Sequence, residues 1–149
     1  MAAIRRLGPG EGAAFEAMLD LFGEVFEEPD TYGAARPGAD YRDRLLADPG
    51  FVALVAMDGD ATVGALAAYE LRKFERERSE LYIYDLAVAA SHRRRGVATA
   101  LIEETRRIAR AMGAWVVFVQ ADGDNPPAIA LYDRLGTREV ALHFDIAVE

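Results

Sequence analysis

Between Glu80 and Ala121 the chain runs through an apolar segment, a basic turn, an amphipathic segment and a second apolar segment. That order constrains the fold more than anything else in the sequence. Glu80 to Val88 reads as a strand, and Ala98, Leu101, Ile102, Thr105, Ile108, Ala109 and Met112 line one face of a helix that Gly113 stops. Ala114 to Ala121 then predicts a central strand buried on both faces. Two strands around one such helix call for a mixed α/β domain.

The flanking sequence fills in the rest. Ala3 to Leu7 predicts a short strand, and Phe15, Met18, Leu19, Phe22, Val25 and Phe26 predict a helix ending near Glu28-Pro29. Asp30 to Asp40 reads as a loop, and Asp40 to Ala47 as a short helix. Phe51 to Met57 and Ala61 to Leu71 form a hairpin about Asp58-Gly59-Asp60. Asn125-Pro126 starts a helix that runs to Leu135 and closes at Gly136. Thr137 to Val140 and Leu142 to Val148 are expected as final strands. No linker or repeat divides the 149 residues, so one domain over 1–149 is expected.

Composition removes several function classes. There is no cysteine, hence no disulfide, thiolate metal site or cysteine nucleophile, and two histidines make a zinc site improbable, so no metal is expected. A net charge of -8 and a pI near 4.8 disfavour nucleic acid and suit a cationic partner. No apolar run approaches the ~18 residues of a membrane helix. The start Met1-Ala-Ala-Ile-Arg-Arg has no signal-peptide core, so a cytoplasmic chain without a membrane partner is expected.

Gly8-Pro9-Gly10-Glu11-Gly12-Ala13 formally matches a dinucleotide-binding glycine pattern, but Glu11 would set a carboxylate against the pyrophosphate. It reads as a turn. Arg93-Arg94-Arg95-Gly96-Val97-Ala98 follows a strand and opens a helix, whose free first-turn amides and dipole favour an anion. Gly96 would let a phosphate approach the backbone. Composition alone leaves a solvated basic turn equally open. Asp85, the one charge inside Leu81 to Val88, could bind an ammonium or take its proton, or could be a structural acid at a bulge.

Arg93, Gly96 and Ala98, with Asn125, Ala128, Leu131, Tyr132 and Gly136 downstream, resemble the cofactor elements of the GNAT superfamily of N-acyltransferases. Val63 to Tyr69, Arg78 to Val88, His92 to Ile102, Val119 to Asp122 and His143 to Ile146 are similar to type I aminoglycoside 3-N-acetyltransferases. Gly123 departs from that pattern, which often has a tyrosine there. The resemblance implies a single GNAT-type α/β (α+β) domain, with a mixed, mostly antiparallel central sheet flanked by about four helices.

It also implies an enzyme that moves acetyl from acetyl-CoA to the 3-amine of an aminoglycoside by direct attack in a ternary complex. Asp85 and Tyr132 would be catalytic, Tyr132 as the acid for the departing thiolate, although helical spacing equally fits Tyr132 to a core. Leu86, Ala87 and Val88 would hold the acyl arm, and Arg93, Arg94, Arg95, Gly96, Val97, Ala98, Thr99 and Asn125 the rest of the cofactor. A polycationic substrate calls for acids, drawn from Asp30, Glu80, Asp122, Asp124 and Asp145, each of which is alone more often a solvated surface acid. Tyr32 and Tyr84 could wall the sugar rings, with Tyr84 equally placed for a core. Many relatives are homodimers, and the C-terminal strands could pair across chains. Rival readings are a GNAT enzyme for a polyamine or protein amine, and a non-catalytic acyl-CoA-binding module.

Overall fold

The computed structural model describes residues 2–149, in a first unit that ends at Val119 and a second that runs from Gln120 to Glu149. The first unit contains β1 (Ala3–Arg6), α1 (Gly12–Val25), α2 (Pro29–Gly33), α3 (Ala39–Ala47), β2 (Phe51–Asp58), β3 (Ala61–Arg72), β4 (Ser79–Val88), α4 (Val97–Met112) and β5 (Ala114–Val119). The sheet runs β1-β2-β3-β4-β5, antiparallel throughout except for the parallel β4–β5 pair. This is the mixed, mostly antiparallel α/β sheet expected.

Alternation along the strands divides the core between two faces. Ala53, Val55, Ala65, Ala67 and Ala87 pack with Phe15, Met18, Leu21 and Phe22 of α1. The opposite parity faces α4, since a Cβ on Gly64 would lie 2.8 Å from Val97 Cγ1 and 3.2 Å from Leu101 Cδ1. Of the stripe read from the sequence, Leu101, Ile102, Thr105, Ile108 and Ala109 are buried and Ala98 and Met112 partly buried, and Thr105 satisfies its hydroxyl on Leu101 O at 2.8 Å. Each such aliphatic side chain contributes about 1.5–3 kcal/mol by leaving water. Gly113 ends α4 at φ 84°, a left-handed cap that suits glycine.

Four expectations are corrected. Pro29 at the first position starts a short α2, to Gly33, across part of the stretch expected as a loop. The strand after Gly113 stops at Val119 and is half-buried at the sheet edge rather than central, because no strand lies outside it among the described residues. Thr137 to Val140 and Leu142 to Val148 form no strands. Their alternation is suited to a strand, but a strand exists only beside a hydrogen-bonded neighbour, and Val140, Leu142, Phe144, Ile146 and Val148 are 77–101% exposed.

The second unit is built on α5 (Pro126–Leu135). Asn125 caps it by accepting from Ala128 N at 3.4 Å, with Pro126 following as the sequence predicts. Arg138 pairs with Asp133 beyond the helix end.

Candidate active site

Strict alternation would send Asp85 to the α4 face with Leu81 and Ile83. A bulge prevents it. Ala68 of β3 pairs with Ile83, but Ala67 pairs with Asp85, so Tyr84 is the extra residue and the parity of β4 reverses. Asp85 thereby shares a face with Ala67 and looks toward the α1–α2 side. Tyr32 of α2 meets it there, donating from its hydroxyl to Asp85 Oδ2 at 2.8 Å. Burial pushes the Asp85 carboxyl above the usual carboxylate range; the Tyr32 hydrogen bond works against this, and Glu28 adds to it. Burial, followed by the bond to Asp85, pushes the Tyr32 phenol up.

Tyr32 is held from behind. Its ring centroid lies 5.7 Å from that of Phe22 and 5.8 Å from that of Phe26. Arg36 Nε donates to Tyr32 O at 2.8 Å, while its two terminal nitrogens each reach a carboxylate of α1, on Glu16 and Asp20, at 2.5 Å. A surface hollow of about 450 Å³ lies between α1 and α2 and shares only Tyr32 with this pair. Its one guanidinium, Arg36, is already paired with Glu16 and Asp20.

Beside Asp85 is an aromatic group that the sequence reading names only in part. Tyr84, largely exposed, stands 5.8 Å from both Tyr69 and Tyr82, edge-on to Tyr69, and Tyr82 stacks on Phe118 at 4.6 Å. Tyr69 and Tyr82 are cross-strand partners on the Asp85 face. Only the bulge register reveals that grouping.

The parallel β4–β5 pairing ends at Ile83 and Val119. Leu86, Ala87 and Val88 therefore pair with β3 alone and have no strand beside them on the β5 side among the described residues. The chain then turns through Ala90–His92 into the basic segment. Arg94 (φ 62°) and Gly96 (φ 78°) are left-handed, and Gly96 starts α4 with no side-chain cap. The first helical bond is Ala100 N to Gly96 O at 2.9 Å, leaving the amides of Val97, Ala98 and Thr99 without intrahelical partners. Arg93, Arg94 and Arg95 are exposed and form no ion pair among the described residues. Free amides, a helix start and three open guanidinium groups together suit a phosphate-bearing ligand. No group of three or more His, Cys, Asp or Glu side chains is placed to hold a metal among the described residues.

The remaining candidates are scattered. Asp30 is exposed on α2, and Glu80 accepts from Trp115 Nε1 at 3.2 Å. In the second unit, Asp122 and Asp124 are exposed, Asp145 pairs with His143 at 2.8 Å, and Asn125 uses its side-chain oxygen as the cap of α5. Tyr132 lies half-buried on α5, where burial pushes its phenol up.

The chain matches known proteins over most of its length. The family model described as Acetyltransferase (GNAT) family matches residues 15–137. A solved aminoglycoside acetyltransferase from an uncultured soil metagenomic sample is 54% identical, with a TM-score of 0.98 and coverage of 100% of this chain and 99% of that one. A second aminoglycoside acetyltransferase of soil metagenomic origin, solved in complex with sisomicin, is 29% identical at a TM-score of 0.91, covering 99% and 97%. Streptothricin acetyltransferase of Streptomyces lavendulae is 31% identical over 109 residues, 72% of this chain and 53% of that protein. The chain spans about half the length, or less, of the curated relatives it matches.

Proposed function

This chain belongs to the GNAT acetyltransferase family, and from that premise we propose that it is an acetyl-CoA-dependent aminoglycoside 3-N-acetyltransferase. One observation carries the reading: a half-buried carboxylate, Asp85, lies on the same strand as Leu86–Val88, the stretch of β4 beyond its pairing with β5, which leads directly into the anion-suited turn at Gly96. The similarity to aminoglycoside acetyltransferases over the whole chain supports the acceptor class. The matched span crosses Val119, which supports treating both units as one acyltransferase domain.

In this reading the turn at 93–99, with Asn125, holds the cofactor, and Leu86–Val88 hold the acyl arm. Asp85 binds the substrate ammonium and takes its proton, directly or through water. The neutral amine forms the amide bond as the thioester C–S bond breaks, and Tyr132 protonates the departing thiolate. With no cysteine in the chain, direct attack needs no acylated thiol. Asp30, Glu80, Asp122, Asp124 and Asp145 are the acids available to further ammonium groups, and Tyr32 and Tyr84 the walls for sugar rings. The proposal includes antibiotic resistance, a cytoplasmic location where acetyl-CoA is supplied, and a homodimer favoured by the exposed apolar C-terminal segment.

The experiment is CoA release from acetyl-CoA with sisomicin-like and kanamycin-like acceptors, followed by product analysis. One acetyl group on the 3-amine is expected. Acetylation of a polyamine or peptide alone would leave only the family assignment standing, and CoA binding without any turnover would favour a binding module.

A further inference from the structure

His92 stands immediately before the basic turn, and its ring is held at both nitrogens. Nε2 lies 2.8 Å from Asp58 Oδ2, and Nδ1 lies 2.7 Å from Ser91 Oγ. The His92 side chain is 17% exposed, whereas that of Asp58 is 61% exposed. Asp58 is the last residue of β2, at the tip of the hairpin, so its bond with His92 spans 34 positions and fastens the hairpin turn to the entry of α4. Both residues border a hollow of about 110 Å³, together with Ile4, Arg95, Gly96 and Val97. The His92 contact also holds the Asp58 carboxyl below its ordinary value.

Just beyond His92 the backbone is unusual. Arg94 and Gly96 are both left-handed, and for an arginine that conformation persists only when its surroundings fix it. From Val97 onward the segment is anchored by burial against Gly64. At the other end, the Asp58–His92 bond is the anchor.

We propose that Asp58 and His92 are a positioning pair for the anion turn: their bond holds residues 93–96 so that the amides at the start of α4 face the diphosphate of acyl-CoA. Neither side chain touches the reacting atoms. The inference rests on the acyl-CoA reading of this turn and adds a specific dependence on the nucleotide end of the donor.

The test is Asp58→Ala, assayed by CoA release with sisomicin and by calorimetric titration with CoA, which needs no acceptor. The KM for acetyl-CoA and the Kd for CoA should each rise about three- to fivefold, the scale of an exposed charge-assisted pair, with kcat nearly unchanged. Acetyl-pantetheine lacks the nucleotide diphosphate, so its KM should not move. Asp58→Asn keeps an acceptor for Nε2–H and should restore most of the affinity. An unchanged Kd for CoA in Asp58→Ala, or equal losses with both acyl donors, would overturn the pair's role. A Gly96→Val protein that binds CoA normally would instead remove the cofactor reading of the turn, and the pair's role with it.

Discussion

The Tyr32 hydroxyl donates to Asp85 Oδ2 at 2.8 Å across 53 positions of sequence, and it is the bond that supports the ionised form of a carboxylate that burial disfavours. Tyr32→Phe removes the donor and leaves the burial. The Asp85 carboxyl should then rise further, and the acid limb of the kcat/KM profile should move to higher pH relative to wild type. The same acceptor serves both proteins, so its own amine titrations cancel in the comparison. An unmoved limb would mean that Asp85 ionisation does not control the rate.

Asp85 also links function to stability, with a definite sign. Its folded-state value lies above its unfolded one, so the folded chain binds the proton more tightly. Stability therefore falls as pH rises from the ordinary value near ~3.9 through the raised one, and above that window the ionised group is a net cost. Asp85→Asn at neutral pH should leave Tm unchanged or higher while turnover falls about 100-fold or more. The Kd for CoA should hold, because the anion turn is untouched. A fully active Asn variant would make Asp85 structural.

The sequence carried the first unit further than it carried the site. Helix faces such as Leu101, Ile102, Thr105 and Ile108 were legible because period 3.6 is a local property, and so was the basic turn at Gly96 that opens α4, a contiguous run of residues. The bulge at Tyr84 was not. Leu81, Ile83, Asp85 and Ala87 alternate without interruption on paper, and only pairing with Ala67 and Ala68 shows that the parity reverses. The same limit hid Tyr69 and Tyr82 beside Asp85 and the reach of Asp58 to His92, since both depend on register between distant segments. The C-terminal alternation misled in the other direction, because pattern alone does not supply a neighbouring strand.

Gly96 sits at φ 78° with nothing within 4 Å of where a Cβ would stand, so packing does not exclude a side chain there; conformation does. Gly96→Val must either keep a left-handed β-branched residue, at about 1–2 kcal/mol, or let the turn refold. Tm should drop by roughly 2–8 °C. Calorimetry should show CoA affinity reduced about tenfold or more as the amide cradle is lost or covered.

Tyr132→Phe keeps the ring on α5 and removes only the hydroxyl. If the phenol is the acid, kcat should fall about 100- to 10,000-fold while the KM for acetyl-CoA changes little. Rapid-quench comparison of the acetyl-transfer step would separate that loss from slow product release. A Phe variant within about threefold of wild type would hand the proton to water.

The C-terminal segment yields the last prediction. Val140, Leu142, Phe144, Ile146 and Val148 recur at every second position, each at least 77% exposed, with His143 and Asp145 paired on the intervening positions. That is the pattern of a strand with one face meant for burial. Burying each of these side chains is worth about 1.5–3 kcal/mol, so together they reach the scale of the roughly 4–15 kcal/mol that association costs. A second copy offers an acceptor of matching chemistry at β5, an apolar edge strand with no neighbour outside it among the described residues. Light scattering at micromolar concentration should give twice the chain mass for the wild type. The double variant Phe144→Asp, Ile146→Asp should give the single mass, because two carboxylates would have to be buried unpaired. A wild-type chain that stays monomeric at tens of micromolar would dismiss the homodimer.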